Sequence, residues 1–414
     1  MRLMKFFCLR LVLLGGLVFT PAMIQAQSVD GDMVDPQAFK AWTADYLKRY
    51  YASAPPPVVA QAFRAIEPIQ RVIELDRAQP EFTLSFWQYI DRVINQERLN
   101  RGQELTQLHQ NLLGEVTQIY GIPPEVIVAF WGIETGYGAY FGKFDLIPAL
   151  ATLGFDSRRG KFFEQELTHA LSLLVAGDLK LENAYGSWAG AHGNFQFMPS
   201  SMNAFALDAD GGGIDLIHSL TDAMHSAGNY LQQSGWKAGQ RWGREVILPP
   251  NFDYQQNYSK MRPLSDWQGL GIKTITGAPL PNAQGFNARL IIPAGHLGPK
   301  YMVYDNFDVI LRWNRSNFYA LAVGLLADGF IKAPHALPVI KGAARPKNDI
   351  RLDRATILAV QTHLNKLGKD TKGIDGILGS ATKRALRQWQ LENNMIADGH
   401  LSKAMLDRMG IHTQ

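Results

Sequence analysis

Glu134 ends a run that is apolar from Val126 to Ile133, and Thr135, Gly136, Tyr137 and Gly138 follow it. Pro123 and Pro124 set a helix start ahead of the run. On that helix Ile127, Trp131 and Glu134 fall on one face, at spacings of four and then three. The Trp131 indole gives Glu134 an apolar wall, where desolvation disfavours the carboxylate and raises its pKa. That is the condition a general acid needs near neutral pH. Gly136 and Gly138 let the chain turn sharply and let a ligand approach the backbone. These residues alone leave a competing reading open, in which a helical glutamate only caps or pairs with a basic side chain.

A second stretch, Gly186 to Ser201, is glycine-rich and polar yet carries Trp188, Phe195 and Phe197. Amides and hydroxyls for hydrogen bonds, set among aromatic rings for stacking, suit a loop lining a sugar cleft. A plain loop is the bland alternative. Pro199, Ser200 and Ser201 read as the start of another helix. Other chemistries find no support. No pair of histidines brackets a glutamate at zinc-protease spacing, and the Ser200-Ser201 pair lacks a nucleophile elbow. The single cysteine, Cys8, lies ahead of an apolar run from Leu11 to Phe19.

Helical periodicity positions these stretches. Phe86, Tyr89, Ile90 and Val93 share a face over 86–94, and Leu105, Leu108, Leu112, Val116 and Ile119 do so over 105–119. Further helices are expected over 161–176, 220–233 and 316–330. The stretch 270–311, rich in Gly and Pro, reads as irregular chain with a few short strands. Residues 333–350 hold three prolines without periodicity and read as a linker. Beyond it lie three stripes: Ile357, Val360, Leu364 and Leu367; Ala385, Leu386 and Trp389; Leu401, Met405 and Met409. Asp375-Gly376 and Asp398-Gly399 are turn signals between them. The resulting three-helix bundle has no acidic pair or nucleophile and reads as a binding module.

The net charge of +4 is unevenly spread. Residues 341–414 hold 13 Lys/Arg against 7 Asp/Glu, while residues 1–26 carry three Lys/Arg and no acid, which leaves the body acidic at −5. A basic tail on an acidic body suits a polyanionic surface or merely a solvated face. No Lys/Arg run of the kind nucleic-acid arms carry is present. Arg2, Lys5, the apolar run, Pro21 and Ala26 read as an export signal. Cys8 precedes that run, which argues against lipid anchoring.

The stretches Gly132-Ile-Glu134-Thr with Gly138, and Ser187 with Ala189-Gly-Ala, Gly193 and Gln196-Phe-Met-Pro-Ser-Ser201, closely resemble lytic murein transglycosylases of the membrane-bound lytic transglycosylase B type (glycoside hydrolase family 103). Leu75–Phe82, Ala149–Phe155 with Arg158-Arg159, Asn229-Tyr230 and Arg312–Ser316 extend the resemblance over about residues 36 to 334. The tail, with Asp375-Gly-Ile-Leu-Gly-Ser-Ala-Thr382 and Trp389-Gln390, resembles the three-helix peptidoglycan-binding domain. The fold implied is mainly α (α+β): a lysozyme-like catalytic domain with additional helical and small β elements, plus a small C-terminal three-helix bundle. The organisation implied is a signal at 1–26, a catalytic domain at 27–335, a linker at 336–350 and a binding module at 351–411.

The resemblance implies Glu134 as catalytic acid and base. It implies Ser187, Gln196, Tyr230, Trp313 and Asn314 along the glycan, and Arg158 and Arg159 near the peptide-bearing part of the substrate. The implied partners are peptidoglycan glycan strands and other cell-wall enzymes, for a monomer in the periplasm. The chain departs from the family at Trp313, where Tyr is frequent, at His192, where Met is usual, and at Gly212, where a calcium loop carries an acid. The candidate calcium loop would use Asp208, Asp210 and Asp215, short of one oxygen; no other cofactor is implied. The implied reaction cleaves the bond from N-acetylmuramic acid to N-acetylglucosamine and leaves a 1,6-anhydro end. A lysozyme-like hydrolase of the same bond and a non-catalytic wall-binding protein remain the alternatives.

Overall fold

The computed structural model describes residues 33–78, 84–255, 258–281, 285–331, 340–343, 345–346, 350 and 352–412. The export-signal reading of 1–26 lies outside them, as do 336–339, 344 and 347–349 of the linker. The described chain forms two compact units. One takes residues up to 78 with 97–236, and the other takes 84–96 with residues from 237 onward.

The first unit is helical apart from one strand pair, Phe144–Asp145 against Tyr185–Gly186. At its centre lie two helices that are apolar all round. In Pro124–Thr135 every residue from Val126 to Thr135 is buried, and Leu146–Phe155 is nearly as enclosed. A helix without a polar face has to be jacketed by others. Gln110–Tyr120 and Leu220–Gln233 pack on the first, and Gln70–Ala78 and Gly160–Ala176 pack on the second. The Glu134 helix is bounded on both sides by local chemistry. Gly121 ends the preceding helix at φ 72°, Pro124 occupies the first turn, and Gly136 ends the run at φ 60°.

Four expected helices appear within a residue of their bounds, as Phe86–Val93, Gly160–Ala176, Leu220–Gln233 and Asn317–Phe330. The single helix expected over 105–119 is instead two, Gln96–Leu108 and Gln110–Tyr120, broken at His109. The break shifts the buried face to Leu105, Leu113, Val116 and Tyr120, leaving Leu108 67% and Ile119 51% exposed. A stripe counted through an unbroken helix therefore puts Leu108 and Ile119 on the wrong side.

In the second unit, five short strands form an antiparallel sheet in the order Arg262–Pro263, Asn287–Ile291, Tyr301–Val303, Gly243–Ile247, Lys273–Thr274. Three of them fall in the stretch read as irregular with short strands. That stretch ends, contrary to the reading, inside a helix, Asp305–Trp313. The sheet's core surrounds Trp267, whose indole N–H donates to the Ala288 carbonyl at 2.8 Å while the Arg262 guanidinium covers its ring at 4.5 Å. The helix Asn317–Phe330 approaches Trp242 so closely that a Cβ on Gly324 would lie 2.3 Å from the indole.

The C-terminal residues of the second unit form three helices, Arg354–Lys366, Ser380–Glu392 and Lys403–Met409, around Val360, Leu364, Leu386, Trp389, Leu401 and Met405. Leu367, expected on the first stripe, lies past its helix and is half exposed. The described linker residues are tied down. Glu245 on the sheet accepts the Lys341 and Gly342 amides at 3.0 and 2.6 Å. Arg345 pairs with Asp91 and covers the Trp87 ring at 5.3 Å.

Overpacking against the Trp242 indole makes Gly324→Ala costly, by about 1–3 kcal/mol. A lowered urea midpoint at constant m is the expected readout; an unmoved midpoint would mean the indole can shift aside.

Candidate active site

Glu134 sits in the last turn of its helix with 1% of its surface exposed. Trp131, one turn earlier on the same face, is 5% exposed. Its ring is fixed from three sides. The indole N–H donates to Asn194 Oδ1 at 2.8 Å, and the Tyr137 and His109 rings meet it edge-on at 5.7 and 5.9 Å. Burial pushes the His109 imidazole below its usual pKa, with Arg101 acting the same way. The neutral ring is thereby favoured beside Trp131.

The turn after Glu134 is rigid. Tyr137 adopts a left-handed backbone, rare for a side chain of that size. Its hydroxyl donates to the Arg98 carbonyl at 2.6 Å, and its ring lies where a Cβ on Gly132 would approach within 2.6 Å. Burial raises the Tyr137 phenol well above its ordinary range. The Gly138 amide donates to Thr135 Oγ1 at 3.0 Å, and a Cβ on Gly138 would lie 2.9 Å from Asn194 Oδ1.

Asn194 joins this turn to the second stretch. Besides accepting from Trp131, it donates through Nδ2 to the Leu216 and Ile217 carbonyls at 3.0 and 2.9 Å, and its own carbonyl accepts from Thr135 Oγ1 at 2.8 Å. Two residues on, Gln196 is held at φ 49° and is 7% exposed, with Nε2 donating to the Gly193 and Phe141 carbonyls. Strained backbone of this kind gathers at functional sites. Phe197 then leads to Tyr230, whose ring centroid lies 5.8 Å from that of Phe197 and 4.7 Å from that of Phe205. Ser187 heads a tight hairpin, its Oγ accepting the Ala191 amide at 3.0 Å. Gly142 and Gly186 permit the backbone contact beneath it, since a Cβ on Gly142 would fall 2.0 Å from the Gly186 carbonyl oxygen. His192, the departure from Met, is buried with Nδ1 2.9 Å from the Tyr185 carbonyl, and burial lowers its pKa.

Thus Glu134, Ser187, Gln196 and Tyr230 belong to one hydrogen-bonded and ring-packed region of the first unit. Arg158 and Arg159 lie in the same unit and are engaged by Asp76, a carboxylate 1% exposed: Arg158 Nε donates to it at 2.8 Å and Arg159 Nη1 at 3.3 Å. Burial lowers the Arg159 pKa and Asp76 opposes the shift. Trp313 and Asn314 belong to the second unit. Trp313 ends the helix Asp305–Trp313, and Asn314 is buried with Oδ1 accepting the Ser316 amide at 3.1 Å.

The acidic loop differs from the expectation in its third member. The carboxylates of Asp208, Asp210 and Asp222, rather than Asp215, lie within 4.8 Å of one another. Asp222 is fully buried, and its two oxygens accept the amides of Ala209, Asp210 and Asp215. Asp210 accepts from Gly212 and Ser219, and Asp208 from Gly211. Asp215 is turned to the Ile217 and His218 amides. Gly212 adds no side-chain oxygen, so most of the roughly six to eight oxygens that calcium takes would have to come from backbone carbonyls and water.

The residues missed by pattern reading are Asn194, Tyr137 and Asp76. Asn194 stood between Gly193 and Phe195 with no periodicity to mark it. For Tyr137 the sequence offers only its place between two glycines, which permit a sharp turn at their own positions.

The Transglycosylase SLT domain family matches residues 38–328, and a second family, described as a peptidoglycan binding domain, matches residues 353–409. Among curated proteins the chain is similar to the membrane-bound lytic murein transglycosylase B of Escherichia coli (strain K12), at 33% identity over 250 residues. That match covers 58% of this chain and 66%, just under two thirds, of the relative. Among solved structures it is similar to SltB3 of Pseudomonas aeruginosa in complex with NAG-anhNAM-pentapeptide, with TM-score 0.85 and 40% identity, covering 90% of this chain and 100% of that one. It is also similar to the Escherichia coli lytic transglycosylase Slt35 in complex with calcium, with TM-score 0.60 and 28% identity, covering 72% and 94%.

Asn194→Ala should cost about 2 kcal/mol by orphaning the Trp131 indole N–H and two carbonyls, and should lower turnover as that ring loosens. Chemical denaturation and a turbidity assay on the same sample would check both effects. For the acidic loop, millimolar calcium against EGTA should leave the melting temperature unchanged. A site filled 100-fold over its dissociation constant would instead add about 2.7 kcal/mol and several degrees.

Proposed function

The chain belongs to the Transglycosylase SLT domain family, and from that premise we propose that it is a peptidoglycan lytic transglycosylase in which Glu134 alone serves as general acid and general base. The burial of Glu134 at the end of an apolar helix, against a pinned Trp131, is the observation that carries this reading. A single carboxyl group held in that turn is positioned to give a proton and to take one back.

Protonated Glu134 gives its proton to the glycosidic oxygen between N-acetylmuramic acid and N-acetylglucosamine. The C1–O bond breaks, N-acetylglucosamine leaves with a free hydroxyl, and positive charge develops at the muramic C1. The ionised Glu134 then takes the proton from that sugar's own C6 hydroxyl, and the C6 oxygen bonds to C1. A 1,6-anhydro ring closes, and Glu134 is protonated again for the next cycle. The substrate supplies its own nucleophile, so the second carboxylate of an ordinary glycosidase is not required. The anhydro sugar named in the SltB3 complex supports this outcome over hydrolysis.

Gln196, Ser187 and Tyr230 line the glycan next to Glu134 in the first unit. Arg158 and Arg159, oriented by Asp76, face the peptide-bearing part of the substrate. Residues 27–335 form the catalytic part and 336–350 the linker, and 351–411 hold the wall. The site of action is the periplasm, reached through the signal at 1–26.

Glu134→Gln keeps the shape and removes the titratable proton. Turnover on purified sacculi should fall by about 10² to 10⁴ or more, while sedimentation with sacculi persists. Mass spectrometry of the wild-type digest should give muropeptides lacking one water relative to hydrolysed ends. Reducing ends of full mass would establish a hydrolase, and wild type that sediments without any release would establish a non-catalytic binder.

A further inference from the structure

The C-terminal module is built twice over from one device. Two helices of equal length, Arg354–Lys366 and Ser380–Glu392, each carry a buried glutamine, Gln361 and Gln390. Each glutamine folds an Asp-Gly turn onto its helix. Gln361 Nε2 donates to Asp375 Oδ1 at 2.8 Å, and its Oε1 accepts the Gly376 amide at 2.8 Å. Gln390 does the same to Asp398 Oδ1 and the Gly399 amide, at the same distances. In each turn the aspartate Oδ1 also accepts the amide two residues on, Ile377 at 2.9 Å and His400 at 2.8 Å. Both glycines have nearly the same φ, 75° and 72°. An arginine crosses each turn: Arg354 Nε and Arg387 Nε each lie 3.1 Å from where a glycine Cβ would stand.

The two turns differ in what meets them. The Asp398 turn is occupied by another segment of the same unit. Asp398 Oδ2 accepts both the backbone amide of His296, at 2.8 Å, and its imidazole at Nδ1, at 2.7 Å. The Tyr258 hydroxyl donates to the Asp398 carbonyl at 2.9 Å, and Arg387 donates to that hydroxyl at 3.0 Å. Asp398 and its neighbour Ala397 are about 95% buried as a result. At the Asp375 turn, Oδ2 has no hydrogen-bond partner among the described residues. The positions beside it hold larger apolar side chains, Ile374 and Ile377, each 50% exposed.

We infer that the Asp375 turn is the open copy of a peptide-binding device whose other copy is filled by the His296 segment. The occupant of the filled copy shows what the device accepts: a peptide presenting a backbone N–H beside a second nitrogen donor. The open copy adds two isoleucines for an apolar flank and exposed Arg354 for a carboxylate. A short peptide with an amide, a free amine and a carboxylate fits that set, whereas a neutral sugar brings neither the amine nor the carboxylate. On the reading that this module holds the wall, the occupant is the peptide stem of peptidoglycan rather than its glycan.

The test uses the full-length chain carrying Glu134→Gln, so that the probe is not digested. The probes are intact sacculi and sacculi stripped of their stems by an amidase. Asp375→Asn preserves the Oδ1 acceptor that holds the turn and removes the charge, and Ile377→Ser removes the flank. Together they should weaken sedimentation with intact sacculi about tenfold, and the difference should vanish on stripped sacculi. Unchanged binding to intact sacculi, or an equal loss on both probes, overturns the inference. Trp389→Ala, which empties the module's core, separates the two levels of argument. If it too leaves binding unchanged, the module does not hold the wall and the underlying reading fails. If it abolishes binding while Asp375→Asn with Ile377→Ser does not, only the present inference fails.

Discussion

Placing a carboxyl group at the end of a helix with no solvent-facing side imposes an order on the whole first unit. The helix must be enclosed by others, because it offers apolar surface in every direction. Its last turn must nevertheless lie against polar chain, since Glu134, Thr135 and the Trp131 indole all carry hydrogen-bonding atoms that burial would otherwise strand. Asn194 meets that second requirement for the indole and for Thr135. One buried amide takes the indole proton and fastens two carbonyls, and its backbone takes the Thr135 hydroxyl. The loop that carries Gln196 is thereby fixed to the turn that follows Glu134.

Much of this was legible from residue order, for identifiable reasons. Pro124 and Gly136 mark the ends of the Glu134 helix, because each residue type suits only one end of a helix. The 220–233 helix appears at its expected bounds, with the Ser219 side chain accepting the Asp222 amide at its start. What was not legible depends on contacts distant in sequence. The break at His109 leaves no proline or glycine behind, so the stripe over 105–119 was counted through it. The strands are two to five residues long, too short to display alternation, and only their pairing makes them a sheet. Asn194 and Asp76 act through partners 22 to 83 residues away. No local pattern encodes such a bond.

In the acidic loop the chain's own chemistry diverges from the motif it resembles. Asp222 lies outside the run that the motif would mark, yet it organises the loop by accepting three amides. Those three amides tie the loop to the first turn of the helix Leu220–Gln233. The same logic governs Arg158 and Arg159. A buried carboxylate orients two guanidinium groups, and so restricts the directions in which they can offer their remaining donors.

The clamp of Glu245 on the Lys341 and Gly342 amides bears on how the module is presented. A freely jointed tether would let the module search a volume set by chain length, and its local concentration near the sheet would fall as the tether grew. Here the connecting segment is gripped beside the sheet, and the module itself is seated through Asp398. The second unit therefore carries its anchor the way a tool carries a fixed jaw. Avidity for a surface then depends on whether the spacing of that surface matches the jaw, and lengthening the connector would not compensate for a mismatch.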